Sequence, residues 1–315
     1  MKSGTSRIDD VPLHKFREEY TPRIAKGFRA SRKDCHAGLR RYGYPMTNLP
    51  RHTKILLVLL ALLPLWFAIA ALGTKIGLWS WKFGLMTMTF SGGMILLGLV
   101  ALAALVSLVM AVRAKPRRKG LVAVGILGLL VPAAAFVMFM AAGAKAKDNP
   151  IHDIATDTGN PPAFSAETMA AREAAGANPL DDYQTPLGQI DLYKERVSPE
   201  LAVKSHAQII TDRPDRPAPL PLGGASKAEG VAAVAAAMGA AGLEDIRSDP
   251  ATGIVEGTAE TFWFGFKDDV VARVGDAQID FRSASRVGVS DLGANTARII
   301  DLRARTEAIL GSAAR

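Results

Sequence analysis

Ten residues toward the C-terminal end carry more polar chemistry than packing requires: Lys267, Asp268 and Asp269, then Arg282, Ser283, Ser285 and Arg286, then Ser290, Asp291 and Asn295. Guanidinium groups present planar forks of donors that match carboxylate or phosphate oxygens. The serine hydroxyls add donors and acceptors, and the free N–H groups at the start of a helix favour an anion. This pattern points to a site for a small anionic or polar ligand centred on Arg282, Arg286 and Ser290. The same residues also fit internal wiring. Asp268, Asp269 and Asp280 could pair with Lys267, Arg273, Arg282 and Arg286, while Ser290 or Asp291 caps a helix. Both readings stay open at the level of sequence.

A catalytic alternative is a hydrolase or transferase in which Ser283, Ser285 or Ser290 is the nucleophile and His152 or His206 the base. It requires one of those imidazoles within hydrogen-bond reach of a hydroxyl. No nucleophile-elbow motif is present, so no catalytic residue is assigned. The chain has one cysteine, which excludes a disulfide framework and a zinc site built on several thiolates. Cys35-His36, with His14 and His52 nearby, lacks the spacing of a metal site. Neither a metal nor a cofactor is expected.

The elements that must position these residues divide by charge. The 315 residues have a formal net charge of +8. Residues 1–144 contribute +15 and residues 145–315 contribute −7. The first half holds three uncharged apolar runs, 55–72, 83–112 and 121–144. A helix crossing the hydrocarbon core needs about 20 such residues. Ser91, Gly92 and Gly93 predict a kink or close packing in the second span. In the third, Gly125 and Gly128 leave room for a neighbour and Pro132 can kink the helix. The first span begins too late for a cleaved signal peptide.

Nine Lys and Arg flank the spans on one side, at 40–54 and 113–119, against Lys75, Lys82, Lys145 and Lys147 on the other. The positive-inside rule then places the N-terminus in the cytoplasm and residues 145–315 across the membrane. High Ala, Gly and Arg usage reads as bacterial, which makes the location an inner membrane and the far compartment a periplasm. The basic tail, 1–54, has aromatic and basic residues at helical spacing over 15–41, fitting either a surface helix on anionic headgroups or a solvated topology signal. No nucleic-acid recognition module is visible.

Residues 145–222 read as a proline-rich approach, with a short helix near 166–175 and strands at 208–211 and 218–222. From Gly223-Gly224 onward the pattern is regular. Ser226 and Glu229 form a capping box, and the helix they open stops at Gly242. Strands follow at 253–264, 270–274 and 278–283, then a helix capped by Ser290 or Asp291 and running to about Leu310. The fold class is α+β: three N-terminal transmembrane helices, then a small antiparallel sheet with helices packed on one face. The domains read as 1–54, 55–144, 145–222 and 223–315.

The runs Phe262-Trp263-Phe264-Gly265-Phe266-Lys267-Asp268-Asp269-Val270-Val271, Arg282-Ser283, Ser285-Arg286-Val287-Gly288 and Ser290-Asp291-Leu292-Gly293-Ala294-Asn295 occur in order. They resemble the bacterial family called domain of unknown function 1499. Ile154-Ala155-Thr156-Asp157 and Pro161-Pro162 are similar to its upstream segment. The resemblance covers about 150–310 and agrees with membrane-anchored members; it implies no established activity. The expected function is therefore a membrane-anchored envelope protein whose outer domain binds a ligand, a lipid or a protein partner. Phe262, Trp263, Phe264 and Phe266 are candidates for contact with lipid or a partner, or for the core. Transport is disfavoured, because the spans lack intramembrane charge.

Overall fold

The computed structural model describes residues 49–180 and 182–313. The tail features at 15–41, with Cys35, His36 and His14, lie outside the described residues. Helix α1 is Arg51–Lys75. A π-helical segment, Lys82–Gly92, continues into α2, Gly93–Arg113, and α3 is Lys119–Asp148. Counting the π segment with α2, the three are 25, 32 and 30 residues long. At about 1.5 Å per residue each exceeds the roughly 30 Å of a hydrocarbon core. They are long and apolar enough to cross a membrane.

Ser91-Gly92-Gly93 mark the point where the π segment gives way to α-helix. Within that segment Thr89 Oγ1 donates to the Gly84 carbonyl (2.8 Å) and Ser91 Oγ to that of Met86 (3.1 Å), each five residues back. A Cβ on Gly92 would lie 2.8 Å from the Trp66 indole, and one on Gly125 would lie 2.8 Å from Leu108. In lipid, helices associate through such close packing, because the tails are as apolar as the side chains.

Beyond α3 the chain forms a six-stranded antiparallel sheet. Its strands are β1 (Asp153–Ala155), β2 (Leu220–Pro221), β3 (Glu244–Asp249), β4 (Ile254–Glu260), β5 (Lys267–Val274) and β6 (Gln278–Ser285). The order is β1-β6-β5-β4-β3, and β2 pairs with β6 near its start. The helices are α4 (Ala166–Ala174), α5 (Pro199–Ala202), α6 (His206–Thr211), α7 (Lys227–Ala240) and α8 (Ala294–Ala313). Helices α7 and α8 pack on one face, where Val234, Met238, Val255, Val270, Phe281, Ile299 and Leu302 are buried. The α+β architecture expected from the sequence is present.

The predicted capping box of α7 forms: Glu229 N–H donates to Ser226 Oγ (3.3 Å) and Ser226 N–H to Glu229 Oε2 (2.7 Å). The helix ends where Gly242 takes φ +76°, a conformation that a side chain with a Cβ resists. Two local expectations change, and one strand, β3, was not expected. Residues 208–211 are helical, not a strand, because Ser205 and Gln208 form a second capping box that opens α6. The strand expected over 253–264 stops at Glu260. There Thr261 N–H donates to the Phe266 carbonyl (2.9 Å) and Phe266 N–H to Thr261 Oγ1 (2.8 Å), closing a tight turn. The mostly polar β3 lacked the apolar alternation that marks a strand.

The proline-rich stretch does more than lead into the sheet. It supplies β1 and β2, and its Phe164 packs on Val271 and Ala284 on the face opposite α7 and α8.

Candidate functional site

Side chains alternate between the faces of a strand, and β6 divides the ten predicted residues accordingly. Ser283 and Ser285 point toward α8 with Asp268, the partner of Ser285 across the β5–β6 register. Arg282 and Arg286 point to the opposite face with Asp269. The arginines and serines expected to converge on one ligand are therefore separated by the sheet.

On the arginine face each guanidinium is matched to a carboxylate. Arg282 grips Asp153 through Nε (3.0 Å) and a terminal nitrogen (2.6 Å). Tyr183 donates its hydroxyl to the same carboxylate (2.7 Å). Arg286 grips Asp269 in the same bidentate way (2.9 and 2.7 Å), and Arg172 adds a third contact (2.7 Å). The ring of Phe164 lies 5.4 Å from the Arg282 guanidinium and 5.8 Å from that of Arg172. Burial works against the charged Asp153, yet the adjacent Arg282 holds its carboxyl below the usual range. Burial likewise opposes the charge on Arg282, and Asp153 outweighs it, raising the pKa. Burial, then the neighbouring Asp153 charge, pushes the Tyr183 phenol well up.

On the α8 face the polar groups form a closed network. Ser283 Oγ donates to Asn295 Oδ1 (2.7 Å) and accepts from Arg298 (2.8 Å). Asn295 Nδ2 donates to Ser285 Oγ (3.0 Å) and to the His152 carbonyl (2.8 Å). Arg298 also pairs with Asp268 at 2.7 Å. Of the two proposed caps, Asp291 serves the helix start: it accepts from the N–H groups of Gly293 and Asn295, both at 2.8 Å. Its pKa is nevertheless raised, chiefly by burial. Ser290 accepts from Leu292 N–H (3.1 Å). Lys267 lies apart, near Glu260 (3.7 Å).

His152 and His206 are buried among Tyr183 and Tyr193. His152 Nδ1 lies 2.6 Å from the Tyr193 hydroxyl, and the His206 ring stacks on Tyr183 at 5.5 Å. Burial lowers both imidazole pKa values to about 4, so both rings are neutral at pH 7. Their other atoms, His152 Nε2 and His206 Nδ1, have no hydrogen-bond partner. Neither ring is hydrogen-bonded to the hydroxyl of Ser283, Ser285 or Ser290, as the nucleophilic alternative requires. Among the described residues no group of three or more His, Cys, Asp and Glu is placed to hold a metal.

The cavities among the described residues include a polar cleft and an apolar groove. A cleft of about 550 Å³ beside α4 is lined by Phe164, Glu167, Arg247, Glu256 and Arg273. Its charges are balanced in place, Arg247 by Glu256 and Glu167, Arg273 by Asp157 and Asp280. A groove of about 690 Å³ between α1 and α3 is lined by apolar side chains, among them Leu63, Pro64, Phe67, Met138 and Phe139.

The sheet domain is joined to the ends of the long helices at two places. Lys75, the last residue of α1, pairs with Glu260 (3.1 Å) and donates to the Phe262 carbonyl (3.1 Å). Trp81 meets Phe266 edge to face at 6.5 Å. At the end of α3, Asn149 accepts from Arg213 (2.8 Å) and lies against Gly293. Both junctions are at the end of the sheet where β5 begins and β6 finishes.

Residues 153–305 match the family model described as a protein of unknown function, DUF1499. The sheet domain belongs to DUF1499. The match agrees with the span of about 150–310 expected from the ordered motifs. No curated protein and no solved structure matches the chain. The run 262–271 and the shorter runs at 285–288 and 290–295 thus lie at the sheet end nearest the long helices.

Asp153, Phe164, Arg172, Tyr183, Tyr193 and Arg298 complete these networks and were absent from the predicted set. Arg172 and Asp269 are 97 residues apart, and Arg282 and Asp153 are 129 apart. Neither spacing leaves a local signal. Asp153 directly precedes the upstream motif that begins at Ile154, which was the one available cue.

Proposed function

We propose that this is a bacterial inner-membrane protein whose DUF1499 domain lies in the periplasm and binds lipid at the bilayer surface, without catalysis. The observation that carries the reading is the coupling of the domain to the helix ends, through Lys75 to Glu260 and Phe262 and through Asn149 to Arg213. A domain held by two span ends works where lipid headgroups are. The excess of Lys and Arg at 40–54 and 113–119 supports a cytoplasmic N-terminus. The internal pairing of Ser283 and Ser285 with Asn295, and not with an imidazole, weighs against nucleophilic chemistry. The apolar groove between α1 and α3, at the depth of the bilayer, offers a place for an alkyl chain.

The test is extraction of the full chain with its surrounding membrane in polymer discs, followed by mass spectrometry of the retained lipids. One phospholipid class should be enriched over the bulk membrane. A profile equal to the bulk, or capture of an envelope protein with no lipid selectivity, counts against the reading. A reporter fused after Arg315 decides the side, and activity confined to a cytoplasmic reporter overturns the periplasmic placement.

A further inference from the structure

The turn 261–266 places two large apolar side chains in the open. Phe262 is 73 % exposed and Trp263 is 55 % exposed, whereas Tyr183, Tyr193 and Phe281 of the same domain are buried. The remaining two aromatics of the turn are half-buried. Phe264 stacks on Phe266 at 5.1 Å, and Phe266 meets Trp81. Phe262 and Trp263 contact each other edge to face at 5.1 Å.

Their depth is set by Lys75. Its ammonium lies 5.5 Å from the centre of the Phe262 ring and 3.1 Å from the Phe262 carbonyl. A lysine closing a membrane-spanning helix carries its charge to the headgroup layer, and Trp favours that same layer. Phe262 is therefore held at the level where the first span leaves the hydrocarbon. This holds whichever compartment the domain occupies, because the ends of α1 and α3 share a side.

A second apolar point lies at the other junction. Leu292 is 41 % exposed and takes φ +55°, a conformation that residues with a Cβ avoid. Its neighbour Gly293 lies against Asn149, which follows the last turn of α3. The fold thus holds a leucine outward, in an unfavourable backbone state, beside the end of the third span.

We propose that Phe262 and Trp263, with Leu292 as a second contact, insert into the headgroup–acyl boundary of the bilayer and hold the DUF1499 domain against it. The partner is the lipid surface itself. The inference rests on the bilayer-apposed part of the proposed function and is independent of its lipid selectivity and its periplasmic placement.

The experiment uses the full chain in liposomes, with Cys35→Ser as background and a nitroxide attached at Phe262→Cys, Leu292→Cys or Asp276→Cys. Asp276 is exposed in the turn after β5, at the far end of a strand roughly 25 Å long. Collisions with oxygen report lipid, and collisions with a water-soluble nickel chelate report solvent. The label at 262 should favour oxygen several-fold relative to the label at 276, with 292 following 262. Equal nickel access at 262 and 276 overturns the proposal. Shielding of 262 from both reagents also overturns it and assigns the turn to a protein contact, such as a second copy. Quenching by brominated lipid that falls on Trp263→Phe gives a second readout without labels. The reporter after Arg315 and the lipid profile can fail while 262 still favours oxygen, so the two ideas fail separately.

Discussion

Arg282, midway along β6, and Phe262, in the turn before β5, have opposite fates. Arg282 has the side chain expected to meet a ligand, yet it is enclosed by Asp153, Tyr183 and the Phe164 ring. Phe262 has the side chain expected in a core, yet it stands exposed beside Lys75. The interior of the domain uses charge to fasten distant chain segments to one another, while the turn is free to meet another phase. Buried ion pairs of this kind have a large effect when one partner is removed, even where the intact pair adds little net stability. Exposed apolar side chains behave in the reverse way, with little effect on folding and a large one on association.

The sharpest test of that contrast is Asp153→Ala, which strands the Arg282 guanidinium in the interior. Loss of one partner of a buried pair typically costs about 3–5 kcal/mol. Urea unfolding of the full chain in detergent, followed by near-ultraviolet circular dichroism, should show a loss of that order. A change under about 1 kcal/mol would mean that Arg282 reaches solvent or a ligand, and the division between interior and turn would fail.

Acidification tests the same interior through its histidines. The unfolded chain protonates these rings as the pH falls through about 6.5, whereas the folded chain resists until about pH 4. Their contribution is complete above pH 6.5 and declines as the pH falls toward 4, by up to roughly 3 kcal/mol per ring. The urea midpoint should drop over that window, and His206→Phe should flatten the dependence. A midpoint that is level from pH 7 to 4.5 would show that the rings are hydrated.

Ser283→Ala is expected to have a smaller effect, about 1–3 kcal/mol, because Arg298 and Asn295 lose a buried partner. The same unfolding assay measures it. Joint replacement Phe262→Ser with Trp263→Ser should change stability least, within roughly 0.5 kcal/mol, while abolishing the preference of a label at Leu292→Cys for oxygen over nickel. If that pair instead destabilised the domain as much as Asp153→Ala, the turn would be core and the comparison would collapse.

The spans were readable because an uncharged run of that length has essentially one stable environment. Helix α7 was readable through Ser226 and Glu229, and strands β4 to β6 through alternation. Helix α6 carried the same kind of signal in Ser205 and Gln208, but a short β-branched run, Ile209-Ile210, read as strand. The two-faced partition of the polar residues was implicit in the alternation of Arg282, Ser283 and Ser285. What could not be read was which carboxylate each arginine would meet.

The sequence by itself determined the three apolar helices, the DUF1499 membership of 153–305, the caps and the strand alternation. Each of these depends on residues at short, fixed separations along the chain. Only the tertiary structure decided that Asp153 closes on Arg282, that Arg172 closes on Asp269, and that the aromatic turn comes to rest beside Lys75. Those contacts depend on strand register and on where α1 and α3 end in space. They join segments about a hundred residues or more apart, a distance over which local patterns in the chain carry no record of the partner.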